Sequence, residues 1–243
     1  MTISPGGPLD VYVALGDSIS IDLYAGGPGR GGASLLARNR DDDFPDWRGR
    51  DLATTRPELA FGLLATDGGT TGSLLDVQLP RLESSGAVPR VVTLTVGGND
   101  VLAAYGDTRR AIEIVGAVRR RVGRTLDHLH ALVAPGDPIV VGTVYDPSDG
   151  TGGAWRVGLP PWPDVVDVLA ELNAGLRSVA GEHGAAVADI HGRFLGHGLH
   201  AGNPGQDEAR PANRALWYRR IIEPNAWGAD AVRAAFWAAA RIG

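Results

Sequence analysis

Five short apolar runs alternate along this chain with longer segments in which apolar residues recur every three or four positions. The runs span residues 11–15, 59–65, 90–96, 138–144 and 185–190. Continuous apolar runs of this length are typical of parallel strands buried on both faces, and the longer segments are typical of the helices that cover them. The alternation therefore predicts an α/β fold, with a five-stranded parallel sheet in the middle of a three-layer sandwich.

The alternation continues along the whole sequence without a linker-like stretch or an internal repeat, so we expect a single domain over residues 1–243. A formal net charge of -5 argues against nucleic acid as a partner, because phosphate binding normally needs a basic surface. No apolar run approaches the ~20 residues that span a membrane. The first nine residues lack the features of a signal peptide, and a cytoplasmic location is expected.

The inventory of reactive side chains excludes several kinds of chemistry. The chain has no cysteine, which rules out disulfides, thiolate catalysis and Cys-ligated metal sites. It also has no lysine, since every one of its 23 basic residues is arginine. Schiff-base chemistry, a P-loop lysine and a Ser-Lys dyad are therefore excluded.

Small and polar residues follow the first three predicted strands. The three segments are Gly16-Asp17-Ser18, Gly68-Gly69-Thr70-Thr71 and Gly97-Gly98-Asn99-Asp100. Because the carboxyl ends of parallel strands meet at one edge of a sheet, these segments are expected to lie together. Ser18 is a candidate nucleophile, Gly69 offers an unobstructed backbone amide, and Asn99 offers a carboxamide donor. These are the parts of an oxyanion hole for acyl transfer.

These three segments resemble the conserved blocks of the SGNH (GDSL-type) hydrolases, which are flavodoxin-like esterases and lipases. The resemblance covers nearly the whole chain and includes Gln78-Leu79-Pro80 after the second block. It implies that Ser18 is the nucleophile and that the Ser18 amide, the Gly69 amide and the Asn99 side chain form the oxyanion hole. It further implies a small-molecule ester or related acyl substrate and no metal or organic cofactor. It gives no indication of oligomeric state.

The fourth block departs from the family pattern. Such hydrolases carry Asp-x-x-His-Pro-Asn before the last helix, with the histidine as base. This chain has Arg220-Ile221-Ile222-Glu223-Pro224-Asn225 instead. Both catalytic positions of the block are changed, and Glu223 occupies the place of the histidine.

Three interpretations of Glu223 follow. In the first, a loop histidine is the base and Glu223 orients it, with His200 and His197 preferred over His191. In the second, Glu223 is itself the base for Ser18, which requires burial to raise the pKa of the carboxyl group from ~4.3. In the third, the scaffold serves as an acyltransferase, a cyclase or a carbonyl-binding protein. A structural role at the start of the last helix is the alternative to all three.

One irregular segment and two aromatic residues are further candidates for the walls of the site. Residues 145–163 predict a long loop at the active edge of the sheet, which either covers the substrate or packs on the core. Trp217 and Tyr218 precede Glu223 and are candidates for the acyl wall, with core packing as the alternative for Trp217.

Overall fold

The structure, a computed structural model, describes residues 8–153, 158–199, 201, 215–220 and 222–241. Its centre is a sheet of five parallel strands in the order β2-β1-β3-β4-β5. The strands are β1 (Asp10–Gly16), β2 (Ala60–Leu63), β3 (Val88–Thr95), β4 (Ile139–Gly142) and β5 (Ala186–Ala188). This strand order is that of flavodoxin-like folds, so the predicted fold class is confirmed.

Helices surround the sheet. They are α1 (Gly32–Ala37), α2 (Leu52–Thr55), α3 (Thr71–Ser73), α4 (Leu79–Ser85), α5 (Gly98–Leu102), α6 (Thr108–Leu132), α7 (Val165–Glu182), α8 (Ile190–Phe194) and α9 (Ala226–Ala240). A π-helical turn at Leu74–Gln78 joins α3 to α4, and a 3-10 turn spans Pro45–Trp47. No helix in the described ranges combines the length and apolarity of a membrane span.

Alternate residues of β1 enter two separate cores, as the pleat of a strand requires. Val11, Val13 and Leu15 pack with α4, α6 and α7 on one face of the sheet. Tyr12 and Ala14 pack with α1, α8 and α9 on the other face. The sheet is therefore the middle layer of a sandwich, and its strands are buried because helices cover both faces.

The chain reverses direction across the sheet at β1. It passes from β1 to β2 at one edge and then returns to place β3 on the other side of β1. The crevice between the carboxyl ends of β1 and β3 is thus the topological switch point, where open α/β sheets bind their ligands. Ser18 follows β1 and Asn99 follows β3, so both lie at this crevice.

Two features near the C-terminus differ from the sequence prediction. The predicted fifth strand ends early at Ala188, because Asp189 caps a short helix, α8, by accepting a hydrogen bond from the Gly192 amide at 3.1 Å. Before α9 the chain forms a small antiparallel hairpin of β6 (Tyr218–Arg219) and β7 (Glu223–Pro224). This hairpin determines where Glu223 lies.

Candidate active site

Ser18 is presented by a sharp turn that only glycine can make. Gly16 ends β1 with a φ of 115°, and a Cβ atom on it would lie 1.7 Å from the carbonyl oxygen of Thr95. Asp17 then stabilises the turn as an acceptor, with the Ile19 amide donating to its Oδ1 at 3.1 Å. The chain thus turns out of the sheet at Ser18, whose side chain lines a cavity.

Gln78 holds this turn from the second block. Its Oε1 accepts a hydrogen bond from the Gly16 amide at 2.7 Å, and its Nε2 donates to the Gly16 carbonyl at 2.8 Å. Gln78 ends the π-helical turn, a distortion that is frequent near functional sites. The sequence pattern placed Gln78 in the second block without assigning it a role. The feature that could have indicated this role is a polar glutamine on an otherwise apolar helix face.

Asn99 and Gly69 are in direct contact. The Asn99 Nδ2 donates to the Gly69 carbonyl at 3.0 Å, which uses one of its two amide protons. Gly69 approaches the end of β1 so closely that a Cβ atom would lie 2.3 Å from the Gly16 carbonyl oxygen. The Gly69 amide donates to the Thr66 carbonyl at 3.1 Å. The structure therefore joins the second and third blocks, with the Gly69 amide engaged in its own turn.

A buried carboxylate ties the same two blocks together from behind. Asp100 accepts hydrogen bonds from the Thr71 amide at 2.9 Å and from the Thr71 hydroxyl at 2.6 Å. Arg121, on α6, lies 3.6 Å from the same carboxylate. These contacts place Thr71 and Asp100 in the frame of the site, since both side chains are fully occupied in holding Gly69 and Asn99 in register.

Ser18 and Asn99 share a cavity of about 420 Å³. Its walls are formed by α5, the first turns of α7, and the loop after β4, which contributes Tyr145 and Trp162. The 145–163 loop is therefore a wall of this cavity in its described part. Trp217 and Tyr218 do not line it. Their rings pack around Phe194, at centroid distances of 5.2 and 5.4 Å.

Glu223 lines the same cavity as Ser18. The hairpin brings it there by pairing it with Arg219, after Arg220 has turned the chain in a left-handed conformation with a φ of 58°. The Ile222 amide donates to the Glu223 Oε2 at 3.3 Å. The Tyr145 hydroxyl donates to the Ile222 carbonyl, which fixes the hairpin to the loop after β4.

The cavity contains a buried carboxyl group, that of Asp17, and a half-buried one, that of Glu223. Burial raises the pKa of Asp17 to about 7, because charge is poorly solvated there, although hydrogen bonds from Thr95 and the Ile19 amide oppose the shift. Burial also raises the pKa of Tyr145 well above its ordinary value, and the negative charges of Asp17 and Glu223 add to this effect. Asp17 and Glu223 therefore both lie close enough to Tyr145 to disfavour ionisation of its phenol.

None of the described histidines lines this cavity. His191 donates from Nδ1 to the Val144 carbonyl at 3.1 Å. The ring of His197 stacks on Trp217 at a centroid distance of 3.6 Å, and its Nδ1 donates to the Ala215 carbonyl at 2.8 Å. His200 lies outside the described residues, although Leu199, which precedes it, is part of the cavity wall.

Comparison with known proteins decides the family. The profile of the GDSL-like lipase/acylhydrolase family matches residues 14–231 of the chain. The chain belongs to this GDSL-like family. The matched range extends from β1 to the middle of α9, so all four sequence blocks fall within it, including the divergent one around Glu223.

Solved structures with the same fold include a lipase, a phospholipase and an acetyl xylan esterase. An extracellular lipase from Streptomyces rimosus is 24% identical, with a TM-score of 0.63 over 95% of this chain and 99% of that one. A phospholipase A1 from Streptomyces albidoflavus is 22% identical, with a TM-score of 0.59 over 96% and 100%. A variant of an acetyl xylan esterase from Geobacillus stearothermophilus is 16% identical, with a TM-score of 0.64 over 97% and 96%. Curated protein sequences gave no match.

Membership of the GDSL-like family confirms the resemblance that the first three blocks indicated, and it establishes the chain as one of a family of lipases and acylhydrolases. The geometry adds which residues the fold brings together. Ser18, Asn99 and Glu223 share a cavity, and Gly69 contacts Asn99. Neither His191 nor His197 lines that cavity.

Proposed function

We propose that this GDSL-like protein hydrolyses carboxylic esters through an acyl-enzyme formed on Ser18. The observation that carries the proposal is that Ser18, Asn99 and Glu223 line one cavity at the switch point of the sheet. The similar structures support an ester as substrate, since they are a lipase, a phospholipase and an acetyl esterase. A small-molecule ester fits the size of the cavity, and the cytoplasmic location stays a prediction.

In the first half of the reaction, the Ser18 Oγ bonds to the ester carbonyl carbon. The carbonyl oxygen gains negative charge, and collapse of the tetrahedral intermediate releases the alcohol, which takes up a proton. In the second half, water attacks the acyl-Ser18 ester, so that the acid leaves and Ser18 regains its proton. Both halves pass through an oxyanion, and preorganised N–H donors stabilise such a charge.

Three donors are proposed for that oxyanion. The Ser18 amide has no acceptor within the described part of the chain, and Asn99 Nδ2 has a second proton beyond the one it gives to Gly69. The Gly69 amide must share its proton between Thr66 and the oxyanion, or leave Thr66. Hydrogen bonds that serve a transition state are often imperfect before the substrate binds.

Glu223 is proposed to support removal of the Ser18 proton. It does so either directly as the base or by orienting His200, and the two arrangements differ in the pKa that controls the rate. A carboxylate base gives an acidic limb near ~4.3, or higher if buried, whereas a histidine base gives one near ~6.5. The position of Glu223 in the Ser18 cavity supports both arrangements.

The test is hydrolysis of 4-nitrophenyl acetate by wild type, Ser18→Ala, Glu223→Gln and His200→Ala, each with a pH profile. Ser18→Ala should lower kcat by about 10⁴-fold or more, and Glu223→Gln by about 100-fold or more. His197→Ala and Glu182→Gln are matched controls, since His197 stacks outside the cavity and Glu182 is an exposed glutamate of α7.

The combined variants decide between the two arrangements. If His200→Ala and Glu223→Gln each lower kcat by as much as the double variant does, the two residues act as one unit and His200 is the base. If only Glu223→Gln lowers kcat, Glu223 is the base. An unchanged kcat in both single variants would overturn the role of Glu223. Absence of turnover on every ester, with transfer to another acceptor, would favour an acyltransferase on the same scaffold.

A further inference from the structure

We propose that the cavity beside Ser18 binds an uncharged acyl chain of medium length, about eight carbons, between α5 and α7. This substrate class rests on the proposed ester hydrolysis at Ser18. Asn99 and Leu102 are one helical turn apart on α5, so the cavity extends from the site of the ester carbonyl along the apolar face of that helix.

The wall formed by α5 and α7 is apolar. Val101 and Leu102 line it from α5, and Val165 and Leu169 line it from the first turns of α7. Among the described residues that these two helices contribute to the lining, none is charged. An alkyl chain loses unfavourable contact with water there, and a charged acyl group would lose its hydration without a partner.

Two aromatic side chains complete this wall, and their polar atoms are already bonded within the protein. Trp162 Nε1 donates to the Thr108 hydroxyl at 3.0 Å, and the Tyr105 hydroxyl donates to the Pro160 carbonyl at 2.6 Å. The two rings meet edge to face, with centroids 5.2 Å apart. Both therefore offer ring carbon to a ligand, and neither offers a donor that would select a polar acyl group.

The charged side chains that line the cavity do not come from α5 or α7. They come from Asp17, Asp146, Arg220 and Glu223, on the loops after β1 and β4 and on the β6–β7 hairpin. Asp146 is already occupied, because it accepts hydrogen bonds from the Ser148 amide and hydroxyl and from the Gly150 amide. Carboxyl groups outnumber the single guanidinium in the described lining, which disfavours anionic acyl groups.

The size of the cavity limits the chain length. A methylene group is similar in size to a water molecule, which occupies roughly 30 Å³ in the liquid, so eight carbons would fill roughly 240 Å³. A cavity of about 420 Å³ then retains space for the ester group and part of the alcohol. An acetyl group would leave the apolar wall uncovered, and a palmitoyl chain, at roughly 480 Å³ by the same measure, would extend beyond the cavity.

The test compares kcat/KM for 4-nitrophenyl acetate, butanoate, octanoate and palmitate. We expect octanoate to exceed acetate by about 30-fold or more, because each buried methylene adds binding energy, and palmitate to fall below octanoate. Val165→Trp, which inserts a large side chain into the wall, should lower the octanoate-to-acetate ratio by about tenfold. Val166→Trp is the matched control, since the neighbouring valine has intermediate burial but does not line the cavity.

Binding without turnover separates this proposal from the hydrolase proposal. Ser18→Ala should bind 2-decanone, an uncharged ketone with an eight-carbon chain, at least tenfold more tightly than 2-butanone in a calorimetric titration. Adding Val165→Trp should abolish that difference. Equal binding of the two ketones, or a flat acyl-chain profile with Ser18-dependent acetate hydrolysis, overturns the acyl-chain proposal and leaves the hydrolase proposal intact. Selective binding of 2-decanone without turnover of any ester would overturn the hydrolase proposal and leave the acyl-chain proposal intact.

Discussion

The Asp17 carboxyl group stabilises the turn that presents Ser18. An aspartate in a turn commonly accepts a hydrogen bond from the amide two residues on, and Asp17 accepts one from the Ile19 amide. Because the side chain is also buried, its pKa is raised to about 7. Burial depends on the packing of Thr95 and Tyr145 around it, which local sequence does not encode.

This raised pKa predicts a pH-dependent stability. Between pH 4 and pH 8 the unfolded chain loses the Asp17 proton first, since its pKa there is near the ordinary 3.8. The folded state binds more protons over this range, so the free energy of unfolding falls as the pH rises. Asp17→Asn keeps the acceptor for Ile19 without the charge. Relative to this variant, wild type should lose up to about 4 kcal/mol of stability from pH 4 to pH 8.

Urea denaturation of both proteins across this pH range measures the difference. Asp22→Asn provides a control at a less buried carboxylate in the following loop, which accepts hydrogen bonds from the Gly29 and Gly31 amides. Parallel stability curves for wild type and Asp17→Asn would mean that Asp17 titrates at its ordinary pKa in the folded protein.

At the scale of the secondary-structure elements, two carboxamide side chains hold the ends of strands through paired hydrogen bonds to the backbone. Gln78 bonds both the amide and the carbonyl of Gly16 after β1. Asn173, on α7, does the same for Val144 after β4, with bonds of 2.7 and 2.8 Å. Each clamp satisfies backbone groups that leave the sheet ladder while still buried. The first clamp holds the turn to Ser18, and the second holds a wall of the cavity.

The two clamps form a matched pair of substitutions. Gln78→Ala and Asn173→Ala should each lower the free energy of unfolding by about 1–3 kcal/mol, because each leaves a buried backbone amide without its acceptor. The two carbonyls keep a second donor, which is the Thr66 amide for Gly16 and His191 for Val144. Their kinetic effects should differ. Gln78→Ala should lower kcat on 4-nitrophenyl acetate by about tenfold or more through loss of the Ser18 geometry. Asn173→Ala should mainly raise KM for the octanoate ester.

Urea denaturation and steady-state kinetics on the same preparations check this pair. Equal losses of kcat in both variants would contradict the assignment of separate roles, because they would reduce both effects to general destabilisation.

At the scale of the whole molecule, the fold was predictable because its strands are buried on both faces. A strand such as β3 must then be a continuous apolar run, and such runs are visible in the sequence. The strand order followed from the resemblance to the SGNH hydrolases. The elements that were not predicted include the π-helical turn, α8 and the β6–β7 hairpin. The π-helical turn and the hairpin are held by side-chain contacts between distant segments, such as Gln78 to Gly16, whereas α8 begins at the local cap of Asp189.

The residues of the candidate site also fall into a predictable and an unpredictable group. Ser18, Gly69 and Asn99 follow strands, so their shared position follows from the topology of a parallel sheet. Glu223 comes from the hairpin, and its position depends on the turn at Arg220 and the bond from Tyr145 to Ile222. Sequence offered no rule for that contact, which is why it left the base open between Glu223 and the loop histidines.

The central claim is that Ser18 forms a covalent acyl-enzyme, and labelling with an alkyl fluorophosphonate tests it most directly. In that reaction the Ser18 Oγ bonds to phosphorus, fluoride leaves and the serine proton goes to the base. We expect intact-mass spectrometry to show one adduct, peptide mapping to place it on Ser18, and ester hydrolysis to disappear in step with labelling. Ser18→Ala should remain unlabelled. Active wild type that forms no adduct, or an adduct on another residue that abolishes activity, would contradict the claim.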